Sequence, residues 1–168
     1  PPFASIQLEH YTPAFAAALM AHNAQIDAIA ADQAAPTFAN TIEAMERAGG
    51  ALTQASAVFW NLCSSHTNDA LQALEREWSP KFAAHYTGIT TNAALFKRID
   101  TLFTNKHQLR LNAEQLRLLE KTHLSFVRSG AKLEGAARDR YQALSLARAK
   151  LSTQFGQNVL ADEEAYSL

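Results

Sequence analysis

Hydrophobic residues recur along this chain at intervals of three and four, the spacing that places side chains on one face of an α-helix. About six stretches carry the pattern. In the first, Thr12 and Pro13 predict an N-cap followed by proline at the first helical position, and the helix continues to about residue 31. Its apolar face consists of Phe15, Leu19, His22, Ile26 and Ile29. Residues 32–36, which end in proline, predict a break.

The second predicted helix covers residues 38–62 and has the most hydrophobic face. Gly49 and Gly50 lie inside it, and two glycines there cost about 2 kcal/mol relative to two alanines. We therefore expect close packing or a kink at this point. The apolar face consists of Ile42, Met45, Leu52, Phe59 and Leu62, and it is widened by Val58 and Trp60.

The third predicted helix starts after Asn68, which is a suitable N-cap. Pro80 lies in its interior, where proline removes one backbone hydrogen bond, so we expect a kink or a new start capped by Ser79. The apolar face consists of Leu71, Leu74, Trp78, Phe82, His85 and Ile89.

Three more helices are predicted in the second half. One covers residues 92–105 and buries Leu95, Ile99, Leu102 and Phe103. The next follows a capping box formed by Asn112 and Gln115, and Gly130 ends it. Its face consists of Leu116, Leu119, His123 and Phe126. The last begins near Glu134 and is expected to bury Tyr141, Leu144, Leu151, Phe155 and Val159.

Composition supports an all-α protein. The sequence contains 33 Ala and 20 Leu against 3 Val and 6 Ile, and this ratio favours helices over strands. We predict an antiparallel bundle of about six helices with a long C-terminal helix, forming a single domain over residues 1–168. The apolar pattern of the last helix continues past Val159 without a Gly or Asn cap, which indicates a fragment of a longer protein.

Charge excludes several kinds of partner. Charged residues make up 18% of the chain and the net charge is −1, so we expect neither disorder nor binding to nucleic acid. The longest uncharged stretch, residues 48–68, contains Gly, Asn, Ser and His, so we expect no membrane span. The first residues lack the pattern of a signal peptide. A single cysteine, Cys63, suits a reducing compartment, and we predict a cytoplasmic protein.

Sequence motifs for catalysis are missing. No histidine begins an H-E-x-x-H motif, and Glu120 with His123 is the one Glu-x-x-His pair where a di-iron bundle needs two. The six glycines form no phosphate-binding loop, and Cys63 lies in an apolar stretch typical of a core thiol. We therefore predict no catalytic, cofactor-binding or metal-binding residue in this chain.

Two weaker alternatives stay open. His22, His85 and His123 lie on the apolar faces of three helices, and three imidazoles meeting in a core could bind zinc. Phe59, Trp60 and Trp78 could form a surface on which a ligand stacks. For both sets, packing in the core is the favoured interpretation.

Five stretches in fixed order carry a family resemblance. They are PPFASIQLEHYTPAF (1–15), APTFANTIEAMERAGG (35–50), HTNDALQALE (66–75), LRLLEKTHLSFVRSGAKL (116–133) and LSTQFGQNVLA (151–161). With these the chain resembles the N-terminal region of the thimet oligopeptidase family of zinc metallopeptidases, in particular its peptidyl-dipeptidase (dipeptidyl carboxypeptidase) branch. Oligopeptidase A-like members share much of the pattern.

The resemblance implies an all-helical parent enzyme with a deep channel and one zinc ion, held far downstream by two His and a Glu. Zinc-bound water, activated by the Glu of H-E-x-x-H, would hydrolyse short peptides. The N-terminal helices would form a wall of the channel against the catalytic domain, and alone they would be inactive.

Two expectations and one alternative follow. Without the rest of the parent we expect a homodimer or non-native packing at the last helix. A parent with a removed leader would be periplasmic. The alternative function is a free-standing helical interaction module without catalysis.

Overall fold

The computed structural model describes residues 3–166, and within that range the chain is helical with no β-strand. The first two and last two residues of the predicted single domain lie outside the described residues. The all-α class and the long C-terminal helix are confirmed. The helices are α1 (Tyr11–Ala31), α2 (Ala44–Arg47), α3 (Gly50–Ser65), α4 (Asp69–Thr90), α5 (Ala93–Thr104), α6 (Ala113–Arg128) and α7 (Gly135–Ala165), with a π-helical turn over Phe38–Glu43 before α2.

Helix caps account for the boundaries that the sequence predicted best. The side chain of Asn68 accepts a hydrogen bond from the backbone N–H of Leu71 at 2.9 Å and so starts α4. At the start of α6 the predicted capping box is present, because Asn112 and Gln115 each accept from the backbone N–H of the other. Gly130 follows α6 with a left-handed φ of 87°, as expected of a residue that ends a helix.

The predicted cap at Thr12 is wrong. A short 3₁₀ turn over Leu8–His10 runs directly into α1, so the helix already begins at Tyr11. The hydroxyl of Thr12 instead accepts a hydrogen bond from the indole N–H of Trp78 at 3.3 Å. A tertiary contact therefore uses the oxygen that the sequence suggested for capping.

The predicted second helix is interrupted rather than kinked. It divides into the π-helical turn, α2 and α3, and the interruption falls at the glycine pair. Ala48 is extended, and Gly49 has a φ of 75°, a left-handed conformation that ends α2 and turns the chain into α3. The expected close packing is also present, because the imidazole of His22 lies against Gly49.

The predicted restart at Ser79 is wrong, because α4 continues through Pro80. Ser79 does not cap a helix, and its hydroxyl accepts a hydrogen bond from Thr153 of α7 at 2.7 Å. Further contacts with α7 occur at Gln72 near the start of α4 and at Thr91 just after its end. Packing along α7 on both sides of Pro80 therefore holds α4 in one piece despite the missing backbone bond.

The core consists of two hydrophobic clusters. The first lies between the N-terminal half of α1, α3 and α4; its buried members are Tyr11, Phe15, Ala18, Leu52, Phe59, Leu71, Trp78 and Phe82. The second lies between the C-terminal half of α1, the π-helical turn, α5 and α6; its buried members are Ile26, Ile29, Ile42, Leu95, Ile99, Leu102, Leu119 and Phe126. Neither cluster includes a residue of α7.

The predicted buried face of the last helix is exposed except at Tyr141, which is half-buried beside Gly130. The exposed fractions are 55% for Leu144, 71% for Leu151, 71% for Phe155 and 42% for Val159. We call these four residues the α7 outer face. The opposite side of α7, which includes the half-buried Leu146 and Leu160, faces α4. It contains the buried Gln157, which donates to the backbone oxygen of Gln72 at 3.0 Å.

Candidate functional site

Two of the three histidines proposed from the sequence meet. His22 on α1 and His85 on α4 share a hydrogen bond of 2.9 Å between Nδ1 and Nε2. Burial lowers the pKa of both imidazoles, and the neighbouring His22 lowers that of His85 further. The backbone of Gly49 covers His22, and its N–H donates to Oε1 of Gln25 at 2.8 Å. Both rings are therefore neutral at pH 7 and form part of the packing between α1, α3 and α4.

The third histidine lies in a different environment. His123 on α6 stacks on Phe103, with ring centroids 3.8 Å apart and planes within 2° of parallel. Its Nε2 lies 2.9 Å from Oδ1 of Asp100. Across residues 3–166, no group of three or more His, Cys, Asp or Glu residues is arranged to hold a metal ion. The described residues therefore do not fit the zinc ion that the family resemblance implies.

An open cleft between α5 and α6 is the best-formed candidate binding surface. Its volume is about 790 Å³, and Phe103, His123, Leu124 and Val127 supply its aromatic and apolar lining. Basic residues line it as well: Lys106, Arg117, Lys121, Arg128 and Lys132. The cleft thus combines an apolar floor with positive charge.

One acidic residue of this cleft is already paired. The ammonium of Lys106 lies 2.6 Å from a carboxylate oxygen of Glu120 and holds the pKa of that carboxyl below its usual range. Lys106 also lies over the ring of Phe103, with Nζ 4.5 Å from the centroid. Such a surface can bind a carboxylate or an acidic side chain. The sequence did not predict the cleft, although Arg117, Lys121 and Arg128 share one face of α6, because Phe103 and Lys106 join that face through tertiary packing.

Cys63 is half-buried in a small cleft between α3, α4 and α7. Burial, together with the nearby carboxylate of Glu75, raises the pKa of the thiol to about 12. The sulfur therefore stays protonated at neutral pH and is a poor nucleophile. This supports the interpretation of Cys63 as a packing residue.

The aromatic set proposed as a stacking surface lies in the first core cluster. Phe59 and Trp78 are buried, and Trp60 is half-buried. Phe15 contacts both buried rings edge-on, with centroids 5.2 Å from Phe59 and 5.1 Å from Trp78. These rings pack against neighbouring rings of the same cluster and do not form a surface on which a ligand could stack.

A second groove lies between α4 and α7. Its volume is about 580 Å³, and its lining includes Tyr86, Tyr141 and Arg148. Tyr86 and Arg148 are exposed. This groove borders the α7 outer face, and together the two form a broad surface suited to binding another polypeptide. None of the helices in the described part of the chain combines the length and the hydrophobicity needed to cross a bilayer.

Comparison with curated proteins finds relatives along the whole chain. Dipeptidyl carboxypeptidases of Salmonella typhimurium and Escherichia coli are each 38% identical over 168 residues, which is 100% of this chain and 25% of theirs. Oligopeptidase A of Salmonella typhimurium is 24% identical over 160 residues, 95% of this chain and 24% of that protein. The chain thus spans about a quarter of the length of the curated relatives it matches. A scan against models of known protein families finds no match.

Proposed function

The chain is related along its whole length to dipeptidyl carboxypeptidases, and on that premise we propose that it is the N-terminal helical region of a zinc metallopeptidase of the thimet oligopeptidase family. The predicted resemblance is confirmed by these matches. The observation that carries the proposal is 38% identity to these proteins over 100% of this chain. The matched region is one quarter of each relative. The weaker match to oligopeptidase A supports the same origin in a peptidase.

In this proposal the region forms a wall of the channel and performs no chemistry itself. The two core clusters hold α1, α3, α4, α5 and α6 together, as expected of a rigid scaffold. The paired histidines and the protonated thiol are packing groups rather than reactive ones. Residues outside this chain would hold the zinc ion and hydrolyse short peptides, and the catalytic domain would be the main partner.

A second candidate function is a free-standing helical interaction module. The exposed α7 outer face favours it, because an apolar surface of this kind is typical of a binding site. The two functions differ in one respect that is easily checked. A module would be complete without a peptidase domain, whereas the proposed scaffold belongs to a polypeptide about four times as long, on the scale of the relatives.

The natural polypeptide that contains this sequence provides the test. We expect it to contain an H-E-x-x-H motif and to hydrolyse a blocked short peptide. Replacing the Glu of that motif with Gln should abolish hydrolysis while leaving the protein folded. A natural polypeptide without the motif would refute the peptidase proposal and favour the interaction module.

We also propose a cytoplasmic location, with the periplasm as the alternative. The single cysteine supports a reducing compartment, because proteins of oxidising compartments tend to use cysteines in disulfides. Fractionation of cells that produce the natural polypeptide tests the location. Recovery in the periplasmic fraction would contradict the cytoplasmic proposal and leave the peptidase proposal intact.

A further inference from the structure

Helix α7 has two opposite faces of different character. At about 100° per residue, the four residues of the α7 outer face fall within an arc of about 80°. Gln142, Thr153 and Gln157 lie on the opposite side and bond to α4 or the residue after it. Hydrogen bonds therefore attach the helix to the fold on a side that also includes the half-buried Leu146 and Leu160. The four large apolar residues of the outer face point away from that side.

A helix on the surface of a protein usually turns its large apolar residues to the core. Phe155 and Leu151 are each 71% exposed although both are large and apolar. Four exposed apolar residues on one side of a helix, interrupted by Arg148 alone, indicate a surface that another polypeptide covers.

We propose that the α7 outer face is the surface on which the remaining part of the longer peptidase docks. This inference rests on the proposed function and adds to it the place of contact. The length of the relatives indicates what covers this face, since about three quarters of each relative lies outside the region that this chain matches.

A second copy of the chain fits this face less well. Leu144, Leu151, Phe155 and Val159 follow one another at intervals of seven, four and four. A seam between two paired helices needs intervals that alternate between three and four. Between Leu144 and Leu151, the position that such a seam would need to be apolar is occupied by Arg148. The pattern suits a broad apolar surface instead.

The charge of Arg148 indicates the chemistry of the surface that docks on this face. Arg148 is exposed, lies within the arc of the outer face and lines the α4–α7 groove, and it has no ion-pair partner among the described residues. The docking surface should therefore be apolar opposite Leu151 and Phe155 and should carry a carboxylate opposite Arg148. The groove of about 580 Å³ provides room for side chains of the same partner.

The experiment measures thiol labelling in the natural full-length peptidase. Phe155→Cys places a reporter on the outer face. Ala143→Cys is the matched control, exposed on the same helix about 120° away. Each is labelled with a maleimide in the native state and in urea, and the reactivity of native thiols is subtracted. In the native state Cys63 adds little background, because burial raises its pKa to about 12.

We expect native labelling of Phe155→Cys to be slower than in urea by about tenfold or more, and that of Ala143→Cys to change by less than about threefold. Val159→Cys changes the size of the side chain less and should be protected as well. This second variant shows whether loss of the phenyl ring at position 155 itself disturbs docking. Native labelling of both outer-face cysteines at the rate of the control would overturn the inference.

Three outcomes separate a failure of this inference from a failure of the proposed function. Protection that disappears on dilution, with dimers seen by light scattering, would assign the face to a second copy and overturn the inference. Absence of H-E-x-x-H and of hydrolysis would refute the proposed function, and the inference with it. Hydrolysis with unprotected outer-face cysteines would refute the inference alone.

Discussion

Gly49 is the residue at which one added methyl group would disturb the fold most. Its φ of 75° disfavours any side chain, and a Cβ there would lie 2.8 Å from the imidazole of His22. We expect Gly49→Ala to lower the free energy of unfolding by about 2 kcal/mol or more, measured by urea titration.

The adjacent glycine provides the matched control. A Cβ at Gly50 meets no heavy atom within 4 Å, and the residue is helical. Gly50→Ala should therefore be neutral or stabilise the protein by up to about 1 kcal/mol. Equal losses at the two positions would show that the left-handed turn and the contact with His22 have no part in stability.

The His22–His85 pair makes stability depend on pH. Because the folded protein lowers both pKa values below the ordinary 6.5, the unfolded chain takes up protons first as the pH falls. Stability is then complete above about pH 6.5 and decreases from there toward the folded pKa values. Asp27 lines the same small pocket as His85, and the ring of Tyr86 contacts that of His85; both residues stay in place in the test.

The double variant His22→Gln/His85→Gln should lose less stability than the parent chain between about pH 7 and pH 5.5, as measured by urea midpoints. His66→Gln, at an exposed position, is the control and should keep the parent's dependence. An unchanged slope in the double variant would contradict this account.

At the scale of residues, the sequence predicted which side chains of α1 to α6 face inward but not which of them touch. His22 and His85 were correctly placed on apolar faces, yet their contact depends on how α1 and α4 cross, 63 positions apart. For the same reason the sequence offered His123 as a third member. The stacked contact with Phe103 depends on the packing of α5 against α6, which no local pattern encodes.

At the scale of elements, one buried arginine ties the end of α1 to α5. Arg98 donates through Nη1 to the backbone oxygens of Asp32 and Ala34, at 2.7 and 3.0 Å, and through Nη2 to the carboxylate of Asp32 at 3.2 Å. It is only 6% exposed. Its loss removes all three hydrogen bonds, two of which are to backbone carbonyl oxygens.

We therefore expect Arg98→Ala to destabilise the protein by about 2–3 kcal/mol, measured by chemical denaturation. Arg47→Ala removes an exposed ion pair with Glu43 and should change stability by less than about 0.5 kcal/mol. A loss at Arg98 no larger than that at Arg47 would show that the connection after α1 is held by other contacts.

Helix boundaries were predictable where a local signal decides them and not elsewhere. Asn68, Asn112 and Gly130 act within one turn of the chain, and the sequence placed all three correctly. The restart at Ser79 was wrong because contacts with α7, more than 70 residues away, hold α4 together. At Gly49 the close packing was expected, but the interruption of the helix was not, since the contact with His22 comes from another helix.

At the scale of the whole molecule, the helical class followed from the composition and the periodicity of the chain. The orientation of α7 did not, because periodicity shows that a helix has an apolar face but not which element covers it. The α5–α6 cleft was also missed, since the sequence shows the charged face of α6 but not that Phe103 and Lys106 pack beside it. Both features concern binding to another molecule, and the family resemblance alone supplied a function.

Zinc content and peptide hydrolysis of residues 1–168, compared with the natural full-length polypeptide, test the central claim most directly. Helical circular dichroism must first show that the shorter protein is folded. The account predicts chelator-sensitive hydrolysis of a blocked short peptide by the full-length polypeptide, and neither stoichiometric zinc nor turnover for residues 1–168. Stoichiometric zinc in residues 1–168, with hydrolysis that a chelator abolishes, would contradict it.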